Sequence, residues 1–305
     1  MTIRFKKLWL IEISVLVLLS SCASTPDTNS DTVVHKGLND DSLDVLFATE
    51  FPVESEEDAL TRAKQALEEG ETDKALFYLV RALQFRPDNV DVLMQIAEIQ
   101  MRRQDFALAK RAFLITIQHD PNRSGALEGL GLIYMDEGRD VEAISNLTSA
   151  VANDERLWRA HNALGVYADK AADYPTALQH YDLALSINPE AGHVRNNRGY
   201  SKYLAGDIEG ATLDLYTAAN DWGFLHAWAN LGKIYAEEGL YRDAIKTYKL
   251  VMSEANALNN TGYSAIENGD LVLAERYLNK AIRLSPTYFP SAEENLSLLQ
   301  ELQLR

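Results

Sequence analysis

The chain has 305 residues, 47% hydrophobic and 24% charged, which is ample apolar material for one extended domain or two compact ones and too much for a disordered chain. Its 45 acidic against 29 basic residues give a formal charge of −16, excluding the broad basic surface that nucleic acid needs for counterion release. A single cysteine excludes an intrachain disulfide and, by ligand count, structural zinc.

At the N-terminus, Arg4, Lys6 and Lys7 lead into an apolar run from Leu8 to Leu19, followed by the small residues Ser20 and Ser21. That order predicts a secretory signal peptide over 1–21. The run is short of the ~20 apolar residues of a membrane span, and Glu12 sets a carboxylate inside it. Leu19-Ser20-Ser21-Cys22 resembles a bacterial lipobox. The resemblance implies a diacylglyceryl group on the Cys22 thiol, cleavage in front of it and acylation of the exposed amine. An ordinary cleaved signal, or an uncleaved anchor helix with an incidental cysteine, is the alternative. Each buried methylene contributes about 0.8 kcal/mol and two lipid signals suffice for stable attachment, so a two- or three-chain anchor would be permanent. No cofactor is expected beyond this covalent lipid. Ala23 stands where enteric-type sorting would need aspartate to keep a lipoprotein in the inner membrane, so the resemblance implies the outer membrane, facing the periplasm. Loss of residues 1–21 removes three basic residues and Glu12, leaving −18, a charge that favours basic partners.

Residues 22–55 read as the lipidated cysteine and a flexible tether, polar and marked by Ser24-Thr25-Pro26-Asp27-Thr28-Asn29-Ser30. Leu43, Val45, Leu46 and Phe47 form a short apolar patch, either a helical turn docked on the following domain or sticky linker.

From Glu56 the sequence repeats with a period of about 34 residues, in units starting near Glu56, Val90, Ser124, Trp158, Gly192, Leu225 and Ala255. Position 20 of every unit is alanine: Ala75, Ala109, Ala143, Ala177, Ala211, Ala244 and Ala274. Position 8 is Ala63, Ala97, Gly131, Gly165, Gly199, Gly232 and Gly262. Small residues at both places let two helices approach to ~8–10 Å, while Leu130, Leu164, Leu231, Phe113, Tyr181 and Tyr248 fill the layers beside them. Gly70, Gly138, Gly206, Gly239 and Gly269 end the first helix of their units, where a positive φ is needed. In the fourth unit Ala172-Asp173 replaces that glycine, and Pro175 falls in the first turn of the next helix. Pro87, Pro121, Pro189 and Pro286 close units, whereas Glu155, Gly223 and Asn256 stand in the other three.

Period and fixed small residues together resemble the tetratricopeptide repeat (TPR). The resemblance implies an all-α, right-handed superhelical solenoid of about seven helix-turn-helix repeats over 56–288. Within 289–305, Leu296, Leu298, Leu299 and Leu302 among polar residues predict a capping helix that covers the last repeat's apolar face.

No phosphate loop, Gly-x-Ser-x-Gly elbow, His-Glu-x-x-His or Cys-x-x-Cys occurs, so no enzyme is expected. His35, His119, His161, His180, His193 and His226 include no i,i+4 pair within one helix, so no metal site is expected, and pairs such as Asp40-Asp41, Glu56-Glu57 and Glu237-Glu238 read as solvated surface. What is left is a binding face. In TPR arrays, positions 2, 5, 6, 9 and 12 of the first helix line the inner wall. Here they collect Asn162, Asn196, Asn197, Tyr200, Tyr203, Asn230, Asn259, Asn260 and Tyr263, interspersed with Arg159, His193, His226 and Lys233. Amides that donate and accept can hold an extended peptide backbone and tyrosines supply stacking area, making this a candidate protein-binding groove. The competing account is that asparagine at position 6 is generic TPR usage.

Asn196-Asn197-Arg198-Gly199-Tyr200-Ser201, then Leu204-Ala205-Gly206-Asp207, and Asn259-Asn260-Thr261-Gly262-Tyr263-Ser264, together with the lipobox, resemble the TadD family of tight-adherence (Flp) pilus assembly. That resemblance implies a periplasmic, outer-membrane-anchored protein assisting assembly or localisation of the pilus secretin. A type IV pilus pilotin and a regulator of peptidoglycan enzymes are the alternatives.

Overall fold

A computed structural model describes residues 53–304 apart from Pro286; the signal segment 1–21, Cys22, the patch at 43–47 and the tether before Val53 lie outside the described residues. Among the described residues there are fifteen α-helices and no strand. Seven hairpins follow one another, each a first helix (A) and a second (B): α1 Glu56–Glu68 with α2 Thr72–Phe85, α3 Val90–Arg102 with α4 Phe106–His119, α5 Ser124–Asp136 with α6 Asp140–Asn153, and α7 Trp158–Lys170 with α8 Tyr174–Ile187. Then come α9 Gly192–Leu204 with α10 Ile208–Asn220, α11 His226–Glu237 with α12 Tyr241–Tyr248, and α13 Glu254–Glu267 with α14 Leu271–Leu284. The single helix α15, Pro290–Gln303, closes the array.

Local chemistry sets the helix ends. The Ser55 hydroxyl accepts from the Asp58 amide at 3.1 Å, the Asn89 side chain from the amides of Asp91 and Val92, and Asp105, Asp173, Asp207 and Ser253 cap their helices in the same way. Helices A stop when a residue turns left-handed and the next amide reaches back to a carbonyl five residues earlier, as Arg139 does to Tyr134 and Asp207 to Lys202. Gly138 (φ 70°) and Gly206 (φ 89°) suit that backbone. In the second and fourth hairpins the same turn is made by Gln104 (φ 62°) and Ala172 (φ 57°), which carry a Cβ.

Every position-20 alanine is fully buried between its two helices. The position-8 glycines answer to a second neighbour as well, the large residue four places after that alanine. A Cβ on Gly131 would lie 2.6 Å from Leu147 Cγ, and one on Gly165 would lie 2.7 Å from Tyr181 Cε1. Leu147, Tyr181, Leu215 and Leu278 are all almost inaccessible, so the close crossing holds both a small residue and the ring or branched chain that lies across it.

Consecutive A helices touch from the third hairpin onward (α5 with α7, through to α13 with α15), while consecutive B helices do not pack on one another to a comparable degree. The A helices therefore form the tighter, inner wall of the curve. Two steps depart from the regular repeat. Between α10 and α11, Gly223 (φ 66°) folds Trp222 back onto Gly192, where a Cβ would come 2.8 Å from Trp222 Cβ. In the sixth hairpin, α12 has eight residues where the other B helices have thirteen or fourteen, and a turn through Lys249–Met252 leads early into α13. Helix α15 takes the place of an eighth A helix, with Ala292 and Leu299 buried against α13 and α14.

Candidate functional site

The asparagines of the inner wall are brought together in two hydrogen-bonded chains. Asn197 Nδ2 on α9 donates to Asn162 Oδ1 on α7 (3.1 Å), Asn196 donates to Asn197 (3.3 Å), and Asn230 on α11 donates to Asn196 Oδ1 (2.8 Å). Further on, Asn295 of α15 donates to Asn259 Oδ1 (3.0 Å) and Asn259 to Asn260 (3.4 Å). Asn260 Nδ2 turns to Met252 Sδ rather than to Asn230, so the chain is interrupted between α11 and α13. Asn196 and Asn259 are buried, at 8% and 7% exposure. Their amides stitch neighbouring A helices, and the surface left to a ligand comes from the more open residues around them. The leucine pattern of α15 marks it as a cap and does not point to Asn295; its place in α15, 36 residues after Asn259, is the signal that does.

Tyr200, Tyr203 and Lys233 meet on this wall. The two rings are 5.7 Å apart, and Lys233 Nζ lies 5.6 Å from the Tyr200 centroid and 5.5 Å from that of Tyr203. The Tyr203 hydroxyl donates to Glu237, one helix along, and Lys233 Nζ is 3.8 Å from the same carboxylate. Burial, the bond to Glu237, and the charges of Glu237 and Glu267 all push the Tyr203 pKa up, so the phenol remains a donor. Tyr263, on α13, is 41% exposed and is not part of this contact; burial first, and then Glu267, raise its pKa.

Toward the N-terminal end the wall opens. Helices α3 and α5 approach less closely than the later A helices, meeting through Met94, whose Cε lies 3.0 Å from where a Gly125 Cβ would stand, and a cleft of about 420 Å³ is lined there by Met94, Met101, Phe113 and Leu132, by Glu98, Arg102, Glu128 and Arg159, and by Gly125 and Gly129. Glycine at 129 makes room for Phe113, whose ring carbons would stand 2.3 Å from a Cβ there. Glu128 is almost fully buried at the rim, where it accepts from Arg159 (2.7 Å) and from the Ala160 amide (3.1 Å). Apolar side chains flanked by two acidic and two basic residues make this a mixed cleft rather than a dry apolar pocket.

Two polar clusters lie off this wall. His161 on α7 and His180 on α8 approach at 3.1 Å through their Nδ1 atoms, and His161 Nε2 is 3.1 Å from the Glu155 carbonyl. A carbonyl only accepts, so His161 carries its proton on Nε2 and its bare Nδ1 accepts from His180 Nδ1–H. Burial, then the neighbouring His161, hold the His180 pKa below the usual histidine range. On α9, Arg198 and Lys202 converge on the buried Asp214 of α10 (2.6 and 2.8 Å). Burial works to raise the Asp214 pKa, but the bonds from Arg198 and Lys202 outweigh it and hold the carboxylate ionised. Among the described residues no group of three or more His, Cys, Asp or Glu is placed to hold a metal ion, and no helix is long and apolar enough to cross a membrane.

Residues 66–122 and 227–287 match the tetratricopeptide-repeat family. Similar solved structures include a tetratricopeptide repeat protein from Parabacteroides merdae (15% identity, 80% of this chain and 98% of that one, TM-score 0.53) and pilF of Pseudomonas aeruginosa (21%, 70% and 96%, TM-score 0.51). A third is PilW, described as a widely conserved type IV pilus biogenesis factor (19%, 69% and 98%, TM-score 0.54). The fold is a tetratricopeptide-repeat solenoid.

Proposed function

We propose that the chain is a non-enzymatic protein-binding scaffold, anchored to the outer membrane through a lipid on Cys22, that assists assembly or localisation of a pilus secretion system in the periplasm. The observation that carries the scaffold reading is the wall of A helices, packed one on the next from α5 onward, which presents half-exposed Tyr200, Tyr203, Lys233 and exposed Tyr263 toward one end and a cleft with apolar and charged lining toward the other. Such a surface offers stacking area, charge and a cleft of mixed lining to another polypeptide. The lipobox-like Leu19–Cys22 and the two Asn-Asn-x-Gly-Tyr stretches support a tight-adherence assembly lipoprotein. The shared fold of pilF and of PilW, the latter described as a type IV pilus biogenesis factor, supports a pilotin-like role of the type IV kind as the second reading.

The test is a crosslinked pull-down of the lipidated protein from outer membranes, with the secretin band as readout, beside a gene deletion. Capture of secretin and loss of its multimer on deletion are the expected results. Unchanged secretin multimers with altered cell-wall crosslinking would sink the pilus reading and point to peptidoglycan enzymes. Replacement of Cys22 by serine moves the protein from the membrane to the soluble fraction if the lipid anchors it; an unchanged membrane fraction refutes the anchor.

A further inference from the structure

The meeting point of α9, α11 and α13 gathers two tyrosines, a lysine and two carboxylates. Tyr200 and Tyr203 come from α9, Lys233 and Glu237 from α11, and Glu267 from α13 acts on Tyr203 through its charge. Two carboxylates against one ammonium leave the group one negative charge. The tyrosine faces and Glu237 together make a place where a cation is favoured twice, by ring quadrupoles and by an anion. The protein already puts a cation there. Lys233 Nζ sits about equally far from both ring centroids, and its 3.8 Å separation from Glu237 is loose for an ion pair. The lysine side chain is 38% exposed, so its flexible stem can swing away without unpacking α11.

We infer that Tyr200, Tyr203 and Glu237 form a cation-receiving box that Lys233 fills in the free protein and that an arginine or lysine side chain of a bound partner fills in its place. The inference rests on the A-helix wall being the binding surface. Charge complementarity selects the occupant, since the chain carries −16 and the box itself is anionic once the resident ammonium leaves. An acidic or neutral side chain gains nothing there. Lys233 acts as a built-in competitor that keeps the box closed to water and small cations until a basic segment lies along the groove.

The probes are acetyl-Gly-Arg-Gly-amide and its neutral citrulline counterpart, titrated into the full chain with ¹³C-labelled tyrosine rings and followed by NMR. The ring signals of Tyr200 and Tyr203, assigned with Tyr200→Phe and Tyr203→Phe, are expected to move with the arginine probe and to stay still with citrulline. Lys233→Met removes the competitor and should tighten the arginine probe about fivefold, the scale of two exposed cation–ring contacts, whereas Glu237→Gln should weaken it by a similar factor. Circular dichroism and the urea midpoint check that both variants fold; because Lys233 is half exposed, Lys233→Met carries the test even if Glu237→Gln loosens the helix pair. Equal binding of both probes, or an arginine affinity that Lys233→Met leaves unchanged, overturns the box. Failure of the arginine probe with secretin capture intact refutes the box alone, while absence of secretin capture by the unmodified protein refutes the pilus reading and leaves the box to be judged by the two probes.

Discussion

Two adjacent alanines make opposite predictions. Ala172 ends α7 with φ 57°, and Ala171 just before it has φ −83° and ψ 1°, an ordinary right-handed geometry; both side chains are exposed. Ala172→Gly removes a Cβ from the left-handed region, which relieves about 1–2 kcal/mol. The glycine also gains freedom in the unfolded chain, which offsets about 0.5–1 kcal/mol. The net expectation is stabilisation by about 0.5–1 kcal/mol, or a rise of roughly 1–4 °C in Tm for a domain of this size. Ala171→Gly meets only the second effect and should lose about 0.5–1 kcal/mol. Urea unfolding of the full chain by far-UV circular dichroism, with unchanged slope, reads both variants on one scale. If Ala172→Gly destabilises as much as Ala171→Gly, the left-handed strain assigned to this turn is absent and the reasoning is wrong.

Gly165→Ala should cost about 1–3 kcal/mol, because the new Cβ would press on the ring of Tyr181, which is 1% exposed and cannot withdraw; an unchanged Tm would contradict the crossing described above. For the histidine pair, His180 binds its proton less readily in the folded chain than in the unfolded one. Its contribution to stability is therefore complete above the ordinary histidine pKa of about 6.5 and is lost as pH falls through that value toward the lower folded pKa. Urea midpoints at neutral and mildly acidic pH should differ more in the parent than in His180→Gln, and parallel behaviour would argue against the pair. The double variant Asn196→Ala with Asn197→Ala leaves Asn162 and Asn230 without their partners and should cost about 1–3 kcal/mol for each orphaned amide that stays dry. An unchanged Tm together with unchanged secretin capture would dismiss the asparagine chain as a working feature.

The helical hairpins were legible in the sequence because sterics at the crossing tolerate so few residues. Alanine at position 20 and alanine or glycine at position 8 fixed the phase, and α1, α3, α5, α7 and α9 begin at the residues that phase named, whereas α11 and α13 are displaced by one. Gln104 was not legible as a left-handed residue, since nothing in its side chain asks for positive φ; the constraint comes from the amide of Asp105 reaching the Gln100 carbonyl. The shortening of α12 was visible only as a changed spacing. The asparagines were found, but their use depends on register between repeats, and it is the 2.8–3.3 Å bonds between α7, α9 and α11 that turn a row of polar side chains into a chain of linked amides. His161 and His180 were noted separately, and their meeting depends on how α8 folds back along α7.

The break between Asn230 and Asn260 falls at the same step as the shortened α12. From α7 to α11 each A helix is tied to the next by asparagine amides along the wall, and α13 is tied in the same way to α15, whereas between α11 and α13 the link moves to the helix ends, where Asn268 donates to the carbonyls of Ala236 and Glu237. A polypeptide lying across Lys233 and Tyr263 would span this step and add, across the middle of the two helices, the cross-tie that Asn268 supplies only at their ends.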